Sequence, residues 1–214
     1  MIRVPVFPLG LVLMPRMPLP LHIFEERYRL MVHQCLEDEQ PFGVVLHTGT
    51  TLQTVGCLAS IENVINRYDD GRLDILTVGT DRFRVEAMHE EKAFLEADIE
   101  IFEDHPVSND QAAELHKLTE SAVEDLKEFA HVAGYEIDQS MLSNLSSEEL
   151  SFLLSTTDVF STEEKQQLIE LRSTTDRMER AARALHAGRE RRAMTQRIQE
   201  MLGKDNEDIN HLFN

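Results

Sequence analysis

His22 and Glu25 are the side chains of this sequence whose types and spacing could do chemistry. An imidazole and a carboxylate three residues apart could act as acid and base in a hydrolase, or could share a metal ion. A lone pair of this kind fits packing better, with His22 at a strand-to-helix corner and Glu25 near a helix N-terminus, where negative charge is favoured. Arg27 could hold a phosphate, but the many carboxylates predict a buried or half-buried acidic partner instead.

Cys35 and Cys57 are the two cysteines of the chain, and they fall on different predicted elements. Neither has a Cys-x-x-Cys partner or a histidine at metal-binding spacing, so we predict buried, reduced thiols. The sequence also lacks the Gly-x-x-x-x-Gly-Lys-Ser/Thr loop that cradles a nucleotide, because Gly203 and Lys204 are followed by Asp205. We expect no cofactor, no metal and no enzymatic activity.

The N-terminal segment must position the corner at His22. Proline fixes φ and removes a backbone donor, so Pro5, Pro8 and Pro15 predict only short strand pieces between Val4 and Leu13. Apolar residues at spacings of three and four then predict one buried helical face, made of Phe24, Tyr28, Met31, Val32, Cys35 and Leu36.

Residues up to about 103 have the pattern of strands joined by short turns. The Asp-Asp-Gly sequence at 69–71 predicts a hairpin turn, since Asp-Gly tolerates positive φ. Residues 79–81 predict the next turn. Beyond it, Phe83 alternates with Arg82, which predicts a buried position for Phe83 and a solvated or cross-strand pair for Arg82.

The second half of the chain has a helical pattern. Capping-box signatures, a serine followed three residues later by Gln or Glu, predict helix starts at Ser108, Ser146 and Ser161. Ser173 or Thr174 begins a last long helix that Gly188 weakens and that Gly203 ends. We therefore predict a β-rich domain at 1–104, a helical domain at 105–204 and an acidic tail at 205–214 that is a candidate for disorder.

The formal net charge of −18 disfavours nucleic acid and anionic membranes as partners. Residues 171–204 are the exception, with nine basic and four acidic residues. Their arginines encircle the predicted helix, which favours pairing with the acidic body or with a second copy of the chain. No run of eighteen apolar residues occurs and prolines interrupt any signal-like stretch, so we expect a cytoplasmic protein without a membrane span.

Several motifs of the chain form a set that spans most of its length. The proline-punctuated start leads into a Leu-His-Ile-Phe-Glu-x-Arg-Tyr segment at 21–28, and Val-Gly-x-x-Ala-x-Ile follows at 55–61. A Gly-x-x-Arg-Phe turn and strand at 79–83, and the helical segment from Ser161 with the later Arg177, complete the set. Together, over about residues 1 to 200, these motifs resemble the N-terminal substrate-binding region of Lon proteases. Glu26 departs from the proline that many members carry. The matching positions include Pro8, Gly10, Pro20, His22, Phe24, Glu25, Arg27, Tyr28, Gly56, Gly79, Arg82 and Phe83.

This resemblance implies an α+β protein with a PUA-like antiparallel pseudo-barrel, one early helix and an all-α second part. It implies a free-standing, non-catalytic module that binds unfolded or exposed hydrophobic polypeptide and works with a protease or chaperone. A regulatory RNA-binding module and a hydrolase using His22 and Glu25 are the alternatives. We expect the polypeptide to bind an exposed, methionine-containing loop that includes Leu11, Met14, Met17, Leu19 and Leu21. The C-terminal helix is the predicted site of any self-association.

Overall fold

The computed structural model describes residues 2–132, 134, 137, 142 and 144–210. Six strands and five helices follow one another within these residues. The N-terminal half contains β1 (Ile2–Leu9), β2 (Pro18–Ile23), α1 (Glu26–Glu37), β3 (Phe42–His47), β4 (Leu52–Arg67), β5 (Leu73–His89) and β6 (Leu95–Ile101). The second half contains α2 (Asn109–Val132), α3 (Ser147–Ser155), α4 (Thr162–Glu170) and α5 (Thr174–Asn210).

The strands close into a barrel because β6, at one end of the sheet, also pairs with β5, which lies next to the other end. The order is β2-β5-β4-β3-β1-β6, and β6 pairs back onto β5. β1 and β3 run parallel, and the other pairs are antiparallel. The predicted α+β class with an N-terminal pseudo-barrel and a long last helix is confirmed, but the sheet is mixed and not wholly antiparallel as predicted, because β1 and β3 run parallel.

β1 is one strand of eight residues, so the prediction of short pieces is wrong. Residues 2–6 pair with β6, and residues 6–9 pair with β3. Pro5 lies in the half of β1 that pairs with β6, and Pro8 lies in the half that pairs with β3. Each proline therefore has a paired strand on one side only. A proline nitrogen can then face the side on which no ladder bond is made.

The long strands β4 and β5 form a hairpin whose turn lies where the sequence predicts it. Gly71 has a φ of +84°. The predicted turn at 79–81 is wrong, since β5 continues through these residues. Gly79 instead allows a close approach, because a Cβ atom there would lie 2.3 Å from the carbonyl oxygen of Met14.

Helix α1 covers the barrel with its apolar face. Tyr28, Met31, Val32 and Cys35 are buried in the main core. The prediction of buried, free thiols at both cysteines is confirmed. Burial raises the pKa of Cys35 to about 12 and raises that of Cys57 as well, so both thiols stay protonated at neutral pH.

The helices of the second half begin where the capping signatures predict. At Ser146 and at Ser161 the serine side chain accepts from the backbone N–H three residues later, and the glutamate there accepts from the serine N–H. Ser173 Oγ accepts from the N–H of Asp176 and so caps α5. Local hydrogen-bonding chemistry thus fixes these starts.

Helix α5 runs to Asn210, so the predicted end at Gly203 is wrong. One glycine costs a helix only about 1 kcal/mol, and its flanking residues are compatible with helix. Residues 205–210 of the predicted acidic tail continue the helix, and 211–214 lie outside the described residues.

The helical half and the barrel share a core. Phe152 of α3 and Leu168 and Ile169 of α4 pack in the cluster that contains the barrel residues and α1. A second cluster lies among α2, α3 and α5. The division at residue 104 therefore stays a prediction, and the shared core argues that the two parts depend on each other.

A buried ion network joins the two halves through Arg82, Asp104 and Arg177. Arg82 Nη2 donates to Asp104 Oδ1 at 2.5 Å, and Arg177 Nη2 donates to Asp104 Oδ2 at 2.5 Å. Both guanidinium groups lie over the ring of Phe152, with Arg82 Cζ 5.0 Å and Arg177 Cζ 3.8 Å from the ring centroid. The predicted solvated position of Arg82 is wrong, because the helices cover that face of β5.

Two arginines share one carboxylate in this network, so one positive charge has no carboxylate to balance it. The negative ends of nearby dipoles stabilise that charge. Arg82 Nη1 donates to the carbonyl oxygens of Ile169 and Leu171, at the C-terminal end of α4, where the helix dipole is negative. Burial by itself would raise the pKa of Asp104, but hydrogen bonds from Arg177 and Thr174 and the arginine charges outweigh it and lower that pKa.

Candidate functional site

The predicted binding loop contains a tight turn at residues 14–17 that is hydrogen-bonded to the barrel. Met17 N–H donates to the carbonyl of Met14 at 3.2 Å, with Pro15 and Arg16 between them. Arg16 has a φ of +66°, so the turn has the proline and the left-handed residue that a type II turn requires. Arg16 N–H donates to the Gly79 carbonyl at 2.8 Å, which holds the turn against β5.

This geometry places most of the predicted binding residues against the core. Met14 is 1% exposed, so its predicted accessibility is wrong. Met17, Leu19 and Leu21 are partly buried and pack against the main core. Leu11 is the most accessible of the five, at 37%. Sequence alone could not predict this, because the contact of the turn with Gly79 joins residues far apart in the chain.

The edge strand β2 is poorly suited to backbone pairing. Gly79 N–H donates to the Met17 carbonyl at 3.0 Å, so residues 19 and 21 are the ones that exchange hydrogen bonds with β5. Pro18 and Pro20 therefore turn their nitrogens to the opposite side. Within β2 that side offers carbonyl acceptors and one N–H donor, that of His22.

Asp74 organises the polar groups beside this edge. His22 Nδ1–H donates to Asp74 Oδ1 at 2.6 Å, and Asn66 Nδ2 and the Tyr68 hydroxyl donate to Oδ2 at 2.9 and 2.7 Å. These hydrogen bonds, that of His22 foremost, lower the pKa of Asp74 to about 2. The same bond to a carboxylate raises the pKa of Tyr68.

His22 and Glu25 have different partners. Glu25 accepts from Arg27 Nε at 2.9 Å, while His22 is bound to Asp74. The acidic partner predicted for Arg27 is Glu25, which is half-buried, whereas the Arg27 side chain itself is exposed. Its guanidinium lies over the Tyr28 ring at 4.5 Å. The arrangement gives the corner its shape and does not assemble the acid and base of a hydrolase.

Three aromatic rings form an exposed surface at this corner, which we name the aromatic patch: His22, Phe24 and Tyr68. The His22 ring stacks on Phe24 with centroids 6.0 Å apart and meets Tyr68 edge-on at 5.9 Å. Phe24 is 61% exposed and Tyr68 39%. Ile65, close by in β4, is also exposed.

Phe24 differs from its prediction as part of the buried helical face. Glu25 is the N-cap residue of α1, so Phe24 precedes the helix and its side chain does not follow the helical stripe. The signal that could have found the patch is the close succession of His22 and Phe24 before the cap. Its third member, Tyr68, comes from the β4–β5 hairpin and required the fold.

Two basic residues of α5, Arg189 and Arg192, pair with carboxylates of the body, which is one of the two arrangements that the sequence predicts. Arg192 Nη2 donates to Asp158 at 2.5 Å and its guanidinium lies over Phe129. Arg189 binds Glu128 and Asp125. The positive charge of these two side chains is therefore balanced within the chain.

In the part of the chain that the structure describes, no three histidine, cysteine or acidic side chains are grouped so as to hold a metal ion. No described helix combines the length and apolar character needed to cross a bilayer.

Residues 3–187 match the model of the ATP-dependent protease La (LON) substrate-binding domain. The Lon protease of Buchnera aphidicola subsp. Baizongia pistaciae is 23% identical over 188 residues, which make up 84% of this chain but only 24% of that relative. The chain thus spans about a quarter of the relative's length.

Two solved structures share the architecture. The Lon N-terminal domain protein from Xanthomonas campestris has a TM-score of 0.63 at 21% identity, over 84% of this chain and 96% of that one. The N-terminal domain of Mycobacterium avium complex Lon protease has a TM-score of 0.68 at 15% identity, over 86% and 98%. At these low identities, the two likenesses show the fold alone. Because the family model matches most of the sequence, the chain belongs to the family of Lon substrate-binding domains.

Proposed function

We propose that this protein is a non-catalytic, cytoplasmic module that binds unfolded or exposed hydrophobic polypeptide and delivers it to a protease or chaperone. Membership of a substrate-binding family supports the substrate class. The observation that carries the proposal for this chain is the aromatic patch, since exposed aromatic side chains that lie against one another are typical of protein interaction surfaces.

The arrangement around the patch suggests how the polypeptide is held. Pro18 and Pro20 deprive the neighbouring edge of donors, so a bound chain cannot complete a ladder with β2. Binding then depends on side chains of the polypeptide that pack on Phe24 and Tyr68. Such contacts tolerate different sequences and give modest affinities, about micromolar.

The site differs from the loop that the sequence predicts. Met14 is inaccessible, and a charge at Met17 would be placed against the core, so variants at these positions would report on folding. Phe24 has most of its surface in water, and its replacement leaves the core intact. It is therefore the residue with which to test binding.

The test measures binding of a fluorescently labelled, reduced and alkylated test protein that cannot fold. We expect Phe24→Asp to weaken binding at least about tenfold, which corresponds to about 1.4 kcal/mol, with an unchanged circular dichroism spectrum. Val107→Asp, at an exposed position in the connection to α2, is the matched control and should bind as the wild type does.

Leu11→Asp separates the aromatic patch from the predicted loop. Normal binding by this variant supports the patch. If Leu11→Asp abolishes binding and Phe24→Asp does not, the polypeptide binds the loop and the patch is not the site. Absence of saturable binding to the wild-type protein contradicts the proposed function itself.

A further inference from the structure

Helix α5 has a packed half and a half whose apolar side chains are exposed. Its 37 residues extend about 55 Å. In the first half, Met178, Ala181, Leu185 and Gly188 are buried against the other helices. Beyond them, three large apolar side chains face water: Met194, Ile198 and Met201, with exposed fractions of 60%, 42% and 60%.

These three residues form one stripe, which we name the α5 stripe. Their spacing of four and then three residues places them on a single face. At about 100° per residue, this face lies roughly 150° around the helix axis from the packed residues. The stripe is therefore directed away from the body of its own chain, and burying it requires another molecule.

Charge along the same segment indicates which molecule that is. Of the four arginines and one glutamate in residues 189–197, Arg189 and Arg192 bind carboxylates of their own chain, and the remaining three charges sum to +1. Residues 198–208 contain four acidic residues and one lysine, a formal charge of −3. A second copy in antiparallel orientation places each basic segment opposite an acidic one. A parallel copy would place like charges together, which is unfavourable.

We propose that two copies of this chain pair through their α5 stripes in an antiparallel, two-fold arrangement. Ile198 lies near the two-fold axis, and Met194 of each copy packs opposite Met201 of the other. The contact is isologous, so it closes at two copies. Methionine suits a helix pair with limited area, because its flexible side chain fills irregular gaps. The pairing leaves the aromatic patch of each copy accessible and does not depend on polypeptide binding.

Sedimentation velocity over a concentration series tests the pairing. We expect a monomer–dimer equilibrium for the wild-type chain, with a dissociation constant that Met201→Glu raises at least about tenfold. Thr195→Glu adds the same charge at an exposed position of α5 outside the stripe and is the matched control. A chain that stays monomeric at every concentration, or an equal effect of both variants, overturns the proposal.

Single cysteines test the orientation. Antiparallel pairing predicts that a mixture of Met194→Cys and Met201→Cys chains forms a disulfide-linked heterodimer on mild oxidation, faster than either variant links to itself. Parallel pairing predicts the reverse and would contradict the proposal. The native thiols do not interfere, because Cys35 and Cys57 are buried.

Discussion

The Asp104 carboxylate binds two guanidinium groups that are buried away from water. Its carboxylate oxygens bind Arg82 from the barrel and Arg177 from α5, and all three side chains are almost fully buried. Loss of the carboxylate charge would leave two buried guanidinium groups without their shared negative partner. Breaking a buried ion pair in this way costs more than the pair itself contributes, because an uncompensated charge stays behind.

Asp104→Asn is expected to lower the free energy of unfolding by about 3–5 kcal/mol, measured by urea titration. Glu179→Gln is the control, since Glu179 forms an exposed ion pair with Arg183 one helical turn away, and its replacement should cost less than about 1 kcal/mol. Equal losses for the two variants would contradict the structural role of the network.

The difference in unfolding free energy between the wild type and Asp104→Asn depends on pH, because the pKa of Asp104 is lowered in the folded protein. A carboxyl whose pKa is lower in the folded state contributes its full stabilisation above its unfolded value of about 4. That stabilisation is lost as the pH falls through the folded value. The difference between wild type and Asp104→Asn should therefore be constant between about pH 5 and 7 and shrink below about pH 4.

Arg82 shows what strand alternation can and cannot predict at the scale of one residue. Alternation correctly places Phe83 in the barrel core, and it places Arg82 on the other face. It does not say what covers that face. The helices that bury Arg82 lie about ninety residues further along the chain, and the hydrogen bond from Arg82 Nη1 to the Leu171 carbonyl depends on their packing.

At the scale of elements, Gly188 permits the close contact of α5 with its neighbours. A Cβ atom there would lie 2.7 Å from Val159 Cγ1 and 3.3 Å from the Phe129 ring. The sequence indicates only that glycine weakens the middle of this helix. The three helix starts at Ser146, Ser161 and Ser173 could be predicted, because caps depend on residues within one turn, whereas a close approach depends on the partner.

Gly188→Ala should destabilise the protein by about 1–3 kcal/mol, although alanine is the better helix former. The reason is the overlap with Val159. In the double variant with Val159→Ala, the clashing methyl group is gone and part of the loss should be recovered. Thermal or urea unfolding of the four proteins measures the coupling. Stabilisation by Gly188→Ala alone would show that α5 and the α3–α4 connection at Val159 do not approach closely.

At the scale of the whole molecule, the barrel and the helices behave as parts of one packed unit. Phe152, Leu168 and Ile169 belong to the core that also contains Met31 and Ile75. The sequence predicts a boundary near residue 104 because the strand pattern stops there. Periodicity detects a change of element type and does not detect which apolar faces meet, so it could not show this shared core.

We expect α4 and β4 to unfold together. In native-state hydrogen exchange, the slowest amides of both elements should report the same opening free energy, equal to that of global unfolding. A matched comparison is Asp104→Asn, in which both values should fall by the same amount. If the amides of α4 exchange through an opening of lower free energy while those of β4 stay protected, the predicted two-domain division is the better description.

The prolines of β2 bear on the behaviour of the protein in a crowded solution. An exposed sheet edge can pair with strands of other chains, so β-sheet growth could start there. Pro18 and Pro20 leave the outer side of β2 with one N–H donor, that of His22, where a growing fibril needs a continuous row of donors. The β2 edge is thus a poor seed for amyloid.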